Sequence, residues 1–373
     1  MAIRSRAICG ICRSRPTRLL QQHTVTLSKY TLAGRPGVLN SHQPFPPRQL
    51  RLHPYMRAMR HHSTASHPNT ENLGSPRANS VGGTEPAIHN FFENKTGTWQ
   101  YMVADPTTSE AAIIDAVLDY DPATREISTA SADFLLSFIR RKNYKIAIIM
   151  ETHAHADHLS AATYLQARLA LEQGFRPPIS IGARISEVQQ LFGERYGIPA
   201  DKYRDVFDKL FKDDETFTIG NLTATAMHLP GHTPDHMGYK IGDHVFCGDS
   251  IFHIDLGTAR CDFPGGSAEM LFNSGRRLLD LPDHTKLWFG HDYPSEERKV
   301  PVPCMTVSEH KSRNKHLKHG VTMEEFVAVR RARDAKLAAP NLLHPSLQIN
   351  IRAGRLPQPA VISFPLRVND MNI

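Results

Sequence analysis

The sequence predicts an α/β protein in which two β-sheets pack face to face with helices on the outside. Two observations predict this architecture. Strand-like segments are followed by a helical segment and then by further strand-like segments, and this order occurs twice. Polar clusters rich in His, Asp and Gly follow several of the strands, and ligand sites in layered α/β proteins lie at such strand ends. The 373 residues, 40% of them hydrophobic, are enough to bury a sizeable core.

The first half of the body begins with short β-rich segments separated by Gly, Asn and Asp. Phe134, Leu135, Phe138 and Ile139 then follow at helical spacing, and an apolar run before the first histidine cluster has the character of a buried strand. These patterns predict strands at 88–92, 98–104, 111–115 and 145–150, and helices at 128–142 and 159–171.

The second half repeats this alternation, and several of its strands end close to a polar cluster. The pattern predicts strands at 179–181, 216–219, 223–228, 238–241, 244–247 and 286–289, and helices at 185–196 and 323–337. A basic run at 310–319 is most simply a solvated face. We therefore expect a catalytic domain at 85–303 and a C-terminal helical extension and tail at 304–373.

The N-terminal segment differs from the rest in charge. Its first 70 residues contain eleven of the 44 Lys and Arg residues and none of the 37 Asp and Glu residues, so the formal charge of +7 is concentrated there. This Arg-rich, Ser-containing composition without a continuous apolar centre is typical of a mitochondrial transit peptide. We predict a transit peptide at 1–62, a disordered linker at 63–84 and location in the mitochondrial matrix. A basic tail that binds RNA or lipid is the alternative.

The charge and cysteine patterns narrow the class of protein further. The body is mildly acidic, which argues against nucleic acid as a partner, and no apolar stretch approaches the ~20 residues of a membrane span. Cys9 and Cys12 lie in the expected transit peptide, which leaves Cys247, Cys261 and Cys304. An odd number of cysteines fits a reducing compartment without a disulfide framework.

The most informative motif is Thr-His-Ala-His-Ala-Asp-His at 152–158. Three imidazoles and a carboxylate in one short turn indicate metal ligation, and they suit Zn, Fe or Mn. Three later segments each deliver a His or Asp after a strand and a Gly: Gly-His-Thr at 231–233, Gly-Asp at 248–249 and Gly-His at 290–291. Each would singly be an ordinary turn, but together they are a strong metal signal.

In this order the motifs resemble the metallo-β-lactamase superfamily, over roughly residues 85–303. The resemblance implies an αββα sandwich of two mixed sheets with the site at one edge, and it makes Asp115 a structural residue near the site. Thr-His-Ala-His-Ala-Asp-His-Leu, Gly-His-Thr-Pro-Asp-His-Met, Arg-x-Asp-Phe and Gly-His-Asp-Tyr look most like the persulfide dioxygenases. Those enzymes oxidise glutathione persulfide with O₂ to sulfite and thiol.

The resemblance to the dioxygenases also implies roles for individual residues. One Fe(II) per chain would be bound by His153, His232 and Asp249, and zinc would not suit because it has no accessible redox change. Arg260 and Tyr293 would be catalytic and bind substrate, together with Thr233. The expected partners are glutathione persulfide and O₂, and a homodimer is the candidate assembly. The remaining metal-facing residues would orient the ligands or hold a second metal: His155, Asp157, His158 and His291.

Alternatives stay open at this point. Arg260 could be in a surface ion pair with Asp262, and Thr258 stands where the dioxygenases have a cysteine, while Cys261 could be a reactive thiol. A binuclear zinc hydrolase of the glyoxalase II (hydroxyacylglutathione hydrolase) type needs all seven metal-facing residues and finds them here, with two zinc ions in place of iron. However, Leu159 follows where that family usually has Gly-Gly. A non-catalytic binding protein would normally have lost ligands.

Overall fold

The structure is a computed structural model, and it describes residues 85–364. The transit peptide predicted at 1–62 and the linker predicted at 63–84 lie outside these residues, as does the end of the chain after 364. No helix in residues 85–364 is long and apolar enough to cross a membrane.

The first sheet has six strands in the order β1-β2-β3-β6-β8-β9. Strands β1 to β3 form an antiparallel meander, and β6, β8 and β9 continue from β3 in parallel. The strands are β1 (Ala87–Glu93), β2 (Thr98–Ala104), β3 (Glu110–Ile114), β6 (Lys145–Met150), β8 (Ile179–Gly182) and β9 (Lys209–Phe211).

The second sheet also has six strands, in chain order from β10 to β15. All neighbours are antiparallel except β13 and β14, which run in parallel. Its strands are β10 (Glu215–Ile219), β11 (Leu222–His228), β12 (Met237–Ile241), β13 (His244–Phe246), β14 (Lys286–Trp288) and β15 (Cys304–Thr306). A small third sheet joins β5 (Glu126–Ser128), β4 (Val117–Asp121) and β7 (Leu159–Ser160).

Three apolar clusters confirm the predicted αββα sandwich. The central cluster lies between the sheets and joins residues such as Tyr101 and Met150 to Tyr239 and Phe246. The outer face of the first sheet is covered by α1 (Ala130–Lys142), α2 (Ala162–Gln173), α3 (Ile185–Tyr196) and α7 (Leu343–Asn350). The outer face of the second sheet is covered by α4 (Ala268–Leu279), α5 (Val307–Arg313) and α6 (Met323–Asp334).

The structure differs from the sequence prediction in several places. The helix predicted at 159–171 starts only at Ala162, because Leu159 and Ser160 pair with β4. The prediction also lacks helices α4, α5 and α7 and strands β4, β5, β9 and β15. The basic run at 310–319 is a solvated face in most of its basic residues, since Arg313, Lys315, Lys318 and His319 are exposed, but His310 and His316 are buried. The predicted C-terminal extension contributes β15 to the second sheet and α7 to the helices that cover the first sheet.

Candidate metal centre

The ligand-bearing segments all begin where strands end, and the two sheets bring them together. The histidine motif follows β6, His232 follows β11, Asp249 follows β13 and His291 follows β14. Asp115 comes directly after β3, with a positive φ of 52°. Strand β3 is parallel to β6, and β13 is parallel to β14, so the C-terminal ends of each pair lie at the same edge of their sheet.

The first group of potential ligands consists of His153, His232 and Asp249. Their ligand atoms all lie within 4.8 Å of one another. Nε2 of His232 is 3.6 Å from Oδ2 of Asp249. Nε2 of His153 and Oδ1 of Asp249 are buried and have no hydrogen-bond partner among the described residues. Buried polar atoms are normally satisfied, so this pair of unpartnered atoms fits a bound metal ion.

The other nitrogen of each imidazole is engaged, which fixes the orientation of the two rings. Nδ1 of His232 donates to the carbonyl oxygen of Arg260 at 2.8 Å, and Nδ1 of His153 lies 3.0 Å from Oγ1 of Thr152. Burial and the neighbouring histidines hold the pKa of His153 well below its usual value. His153 is therefore neutral, which is the form that binds a metal.

A second group of potential ligands lies next to the first. His155, Asp157 and His158 have ligand atoms within 4.8 Å of one another. Both ring nitrogens of His158 are buried and have no hydrogen-bond partner within residues 85–364, although Nδ1 lies 3.5 Å from Oδ2 of Asp157. Nε2 of His291 is 3.0 Å from Oδ2 of Asp157 and 3.5 Å from Oδ1 of Asp249. Burial lowers the pKa of His291, but these two carboxylates outweigh it and raise the pKa to about 9.

His155 is held from behind by two buried carboxylates. Its Nε2 is 3.0 Å from Oδ1 of Asp115 and 3.2 Å from Oε2 of Glu151. Asp115 also accepts hydrogen bonds from the backbone N–H and the hydroxyl of Thr152. Burial alone would lower the pKa of His155, yet the charge of Asp115 raises it well above the usual value. Asp115 thus ties the start of the motif to the end of β3.

A cavity of ≈ 620 Å³ opens above the first group of ligands. His232, Asp249 and Asp157 form part of its wall. The rest combines cationic side chains with apolar and aromatic ones: Lys95, Arg260, Arg330, Arg333, Tyr120, Phe252, Tyr293, Leu337 and Leu342. The combination suits a ligand that carries negative charge on an otherwise partly apolar body.

Comparison with known proteins places this arrangement in a family. The sequence profile of the metallo-beta-lactamase superfamily matches residues 94–291. The chain belongs to this superfamily. It is 42% identical to a probable metallo-hydrolase of Burkholderia pseudomallei, covering 73% of this chain and 94% of the relative. It is 44% identical to glyoxylase B2 of Dictyostelium discoideum, covering 72% of this chain and 91% of that protein.

More distant matches in the superfamily include persulfide dioxygenases. The mitochondrial persulfide dioxygenase ETHE1 of Bos taurus is 26% identical, over 73% of this chain and 90% of the relative. The crystal structure of ETHE1 from Myxococcus xanthus superposes with a TM-score of 0.58 at 24% identity, covering 72% of this chain and all of that one. This structural likeness supports the superfamily fold.

Among the residues predicted to bind substrate, two line the cavity and one does not. Arg260 lies in the wall, where its guanidinium pairs with both carboxylate oxygens of Asp262 at 2.5 and 2.6 Å and donates to the carbonyl of Ala338. Tyr293 is half exposed in the same wall and stacks on the ring of His291. Thr233 is fully buried and does not line the cavity, and its carbonyl accepts the N–H of Gly231 at 3.2 Å.

One residue near the candidate ligands, His236, had no role in the sequence prediction, and the structure also places Thr258 and Cys261. His236 is buried, stacks on His153 and accepts the backbone N–H of Asp249 through Nε2 at 2.9 Å. Only its place in the Gly-His-Thr-Pro-Asp-His segment could have pointed to it. Thr258 lies in the cavity wall, and its hydroxyl is 3.2 Å from Nδ1 of the buried His316. Cys261 is buried, which raises the pKa of its thiol to about 12 and disfavours a reactive thiolate.

Proposed function

We propose that this protein is a persulfide dioxygenase. It would oxidise glutathione persulfide, or a related thiol persulfide, with O₂ to sulfite and thiol in mitochondrial sulfide catabolism. The observation that carries the proposal is the first ligand group. His153, His232 and Asp249 place two imidazoles and one carboxylate within 4.8 Å at the base of a cavity. This is the ligand set of the non-haem Fe(II) oxygenases.

The residues of this chain would hold one iron and organise its surroundings. Fe(II) held by His153, His232 and Asp249 would supply the redox chemistry with O₂. The carbonyl of Arg260 and the hydroxyl of Thr152 keep the metal-binding nitrogens of His232 and His153 turned toward the site. His236 fixes the backbone of Asp249.

The cavity supports an anionic thiol compound as substrate. Lys95 and Arg333 are exposed in its wall, and Arg333 makes no ion pair within residues 85–364. Carboxylates of a peptide thiol would therefore meet positive charge at the cavity wall while the sulfur faces the metal ligands. The 26% identity to a mitochondrial persulfide dioxygenase supports the same substrate class.

A binuclear hydrolase of the glyoxalase II type is the second candidate, and specific observations favour it. Both buried ring nitrogens of His158 have no hydrogen-bond partner among the described residues, and Asp157 lies beside them, so the second group could hold another ion. The relatives at 42% and 44% identity are named as a probable metallo-hydrolase and a glyoxylase. In this candidate the two metal ions would be zinc, and the substrate a thioester. A non-catalytic role is disfavoured because the full ligand set is present.

Metal content and oxygen uptake distinguish the two candidates. For the dioxygenase, the purified protein is expected to contain about one iron per chain and to consume O₂ on addition of glutathione persulfide, without hydrolysing S-lactoylglutathione. Asp157→Asn should keep that single iron, whereas His153→Ala should lose it. Two zinc ions per chain, thioester hydrolysis without O₂ uptake, and loss of one ion in Asp157→Asn would instead establish the hydrolase.

The proposed setting in the mitochondrial matrix rests on the composition of residues 1–62. A fusion of residues 1–84 to a fluorescent protein is expected to enter mitochondria and to be shortened there. The matched control carries Arg13→Gln, Arg15→Gln and Arg18→Gln, which removes positive charge at three positions of the segment. Equal import of both fusions, or cytosolic location of the first, would contradict the proposal.

A further inference from the structure

The side chain of Asn350, at the end of α7, lies against the backbone of the histidine motif. Its Nδ2 donates to the carbonyl oxygens of His155 and His158, each at 2.8 Å. Its Oδ1 accepts the backbone N–H of Ser160, also at 2.8 Å. The residue is 4% exposed, so these three bonds are made away from water. An asparagine side chain 190 or more residues away in sequence thus contacts three points of one six-residue stretch.

This stretch supplies several of the metal-facing side chains but has little regular structure of its own. Between the end of β6 and the start of β7, no residue belongs to a helix or a strand. Among the described residues, the carbonyls of His155 and His158 receive no other hydrogen bond. Buried carbonyls without a donor are costly, so the loop depends on Asn350 for its conformation.

The helix that carries Asn350 is itself fixed to the other helices on the outer face of the first sheet. Gln189 of α3 donates to the carbonyl of Ile351 at 2.9 Å, and Thr163 of α2 donates to the carbonyl of Ala353 at 2.6 Å. Leu347 and Ile349 are buried in the outer cluster of the first sheet. The amide of Asn350 is therefore presented from a rigid support, as positioning groups require.

We propose that Asn350 is a positioning residue of the metal centre, which sets the course of the loop carrying His153, His155, Asp157 and His158. It lies outside the 94–291 match to the superfamily, so the tail of the chain completes the site. The inference rests on the metal centre of the proposed function but holds for either reaction. Groups that orient metal ligands in this way typically change metal affinity by ~10- to 100-fold when removed.

The test compares Asn350→Ala and Asn350→Asp with Gln348→Ala in the full chain. Gln348 is the matched control, since it is a buried amide of the same helix that bonds to His344 and Ser363 and not to the motif. Co²⁺ is the probe, with affinity measured by chelator competition and ligand geometry by the visible absorption of bound Co²⁺. Both Asn350 variants are expected to bind Co²⁺ at least ~10-fold more weakly with an altered spectrum. Gln348→Ala should stay within ~2-fold of wild type, inside the spread of such measurements.

If Asn350→Ala does not fold, amide hydrogen exchange of the wild-type protein tests the role of Asn350 instead. Coupling between two sites is reciprocal, so a metal that is stabilised by α7 must in turn stabilise α7. Addition of Co²⁺ is expected to slow amide hydrogen exchange of 343–352 more than that of α1. Unchanged exchange in α7, or wild-type affinity and spectrum in Asn350→Asp, would overturn the role of Asn350. Absence of Co²⁺ binding by the wild type would instead overturn the metal centre.

Discussion

The carboxylate of Asp249 passes so close to Gly290 that no side chain fits between them. A Cβ at position 290 would lie 2.3 Å from Oδ1 of Asp249 and 3.0 Å from the backbone of Gly248. We expect Gly290→Ala to displace this ligand and to weaken metal binding ~10-fold or more, as loss of ligand orientation does elsewhere.

Gly238→Ala is the control for this prediction, because its Cβ would first meet a flexible methyl group of Leu229 at 2.6 Å. Equilibrium dialysis against Zn²⁺ or Fe²⁺ measures the difference. If Gly290→Ala binds metal as tightly as Gly238→Ala, the placement of Asp249 described above is wrong.

The burial of His310, a histidine outside the metal centre, should make the free energy of unfolding depend on pH. Burial lowers the pKa of His310 to about 3, and its Nε2 has no partner among the described residues. Its stabilising contribution is therefore complete above the unfolded pKa of ~6.5 and is lost as the pH falls toward 3. The free energy of unfolding should fall by ~2 kcal/mol more in wild type than in His310→Gln between pH 6.5 and 5. Urea titrations of both proteins check this, and parallel pH profiles would contradict it.

At this scale the sequence could identify candidate ligands but not the residues that contact and orient them. His153, His232 and Asp249 stand in motifs whose residue types and spacing are themselves the chemical signal. Glu151 and Asn350 carry no such local signal, because what matters is their contact with His155, and that contact exists only after folding. The burial of Thr233 has no local signal either: the turn that places His232 in the cavity wall buries Thr233 outside it.

Helix α4 carries local signals in its sequence. Ser267 caps its N-terminus by accepting the N–H of Met270, and Leu271, Leu278 and Leu279 recur at helical spacing on the buried side. These signals are local and could have predicted the helix. By contrast, the two-residue strand β7 has no pattern long enough to detect, and its pairing with β4 decides its conformation.

The buried face of α4 gives a prediction with an internal control. Leu278 is fully buried in the outer cluster of the second sheet, whereas Met270 of the same helix is 50% exposed. Leu278→Ala should lower the free energy of unfolding by ~2–5 kcal/mol, the usual cost of a cavity in a packed core. Met270→Ala should change it by less than ~0.5 kcal/mol. Chemical denaturation measures both, and similar losses in the two variants would count against the packing of α4.

The whole molecule depends on residues beyond the predicted domain limit of 303. The last strand, β15, pairs with β14 beside the segment that carries His291, and α6 packs on α4. Helix α7 contributes to the outer cluster of the first sheet and contacts β7. The fold class could be predicted from the order of the elements. The packing of β15, α6 and α7 could not, because it joins segments that are far apart in the chain.

A truncation tests that dependence. A chain ending at residue 303 is expected to lose cooperative unfolding and metal binding, because both sheets' outer clusters lose covering helices. A chain ending at residue 364, which keeps every described element, should unfold in a single transition. Circular dichroism during urea titration reports the outcome, and a sharp transition in the shorter chain would show that residues 85–303 form an independent domain.

Arg260 has two separate duties, and only one of them depends on its side chain. Its backbone carbonyl accepts the hydrogen bond from Nδ1 of His232, and that carbonyl is present whichever side chain stands at this position. Its guanidinium forms part of the cavity wall. Replacement at this position can therefore alter which compounds the cavity accepts without disturbing the metal ligand beside it.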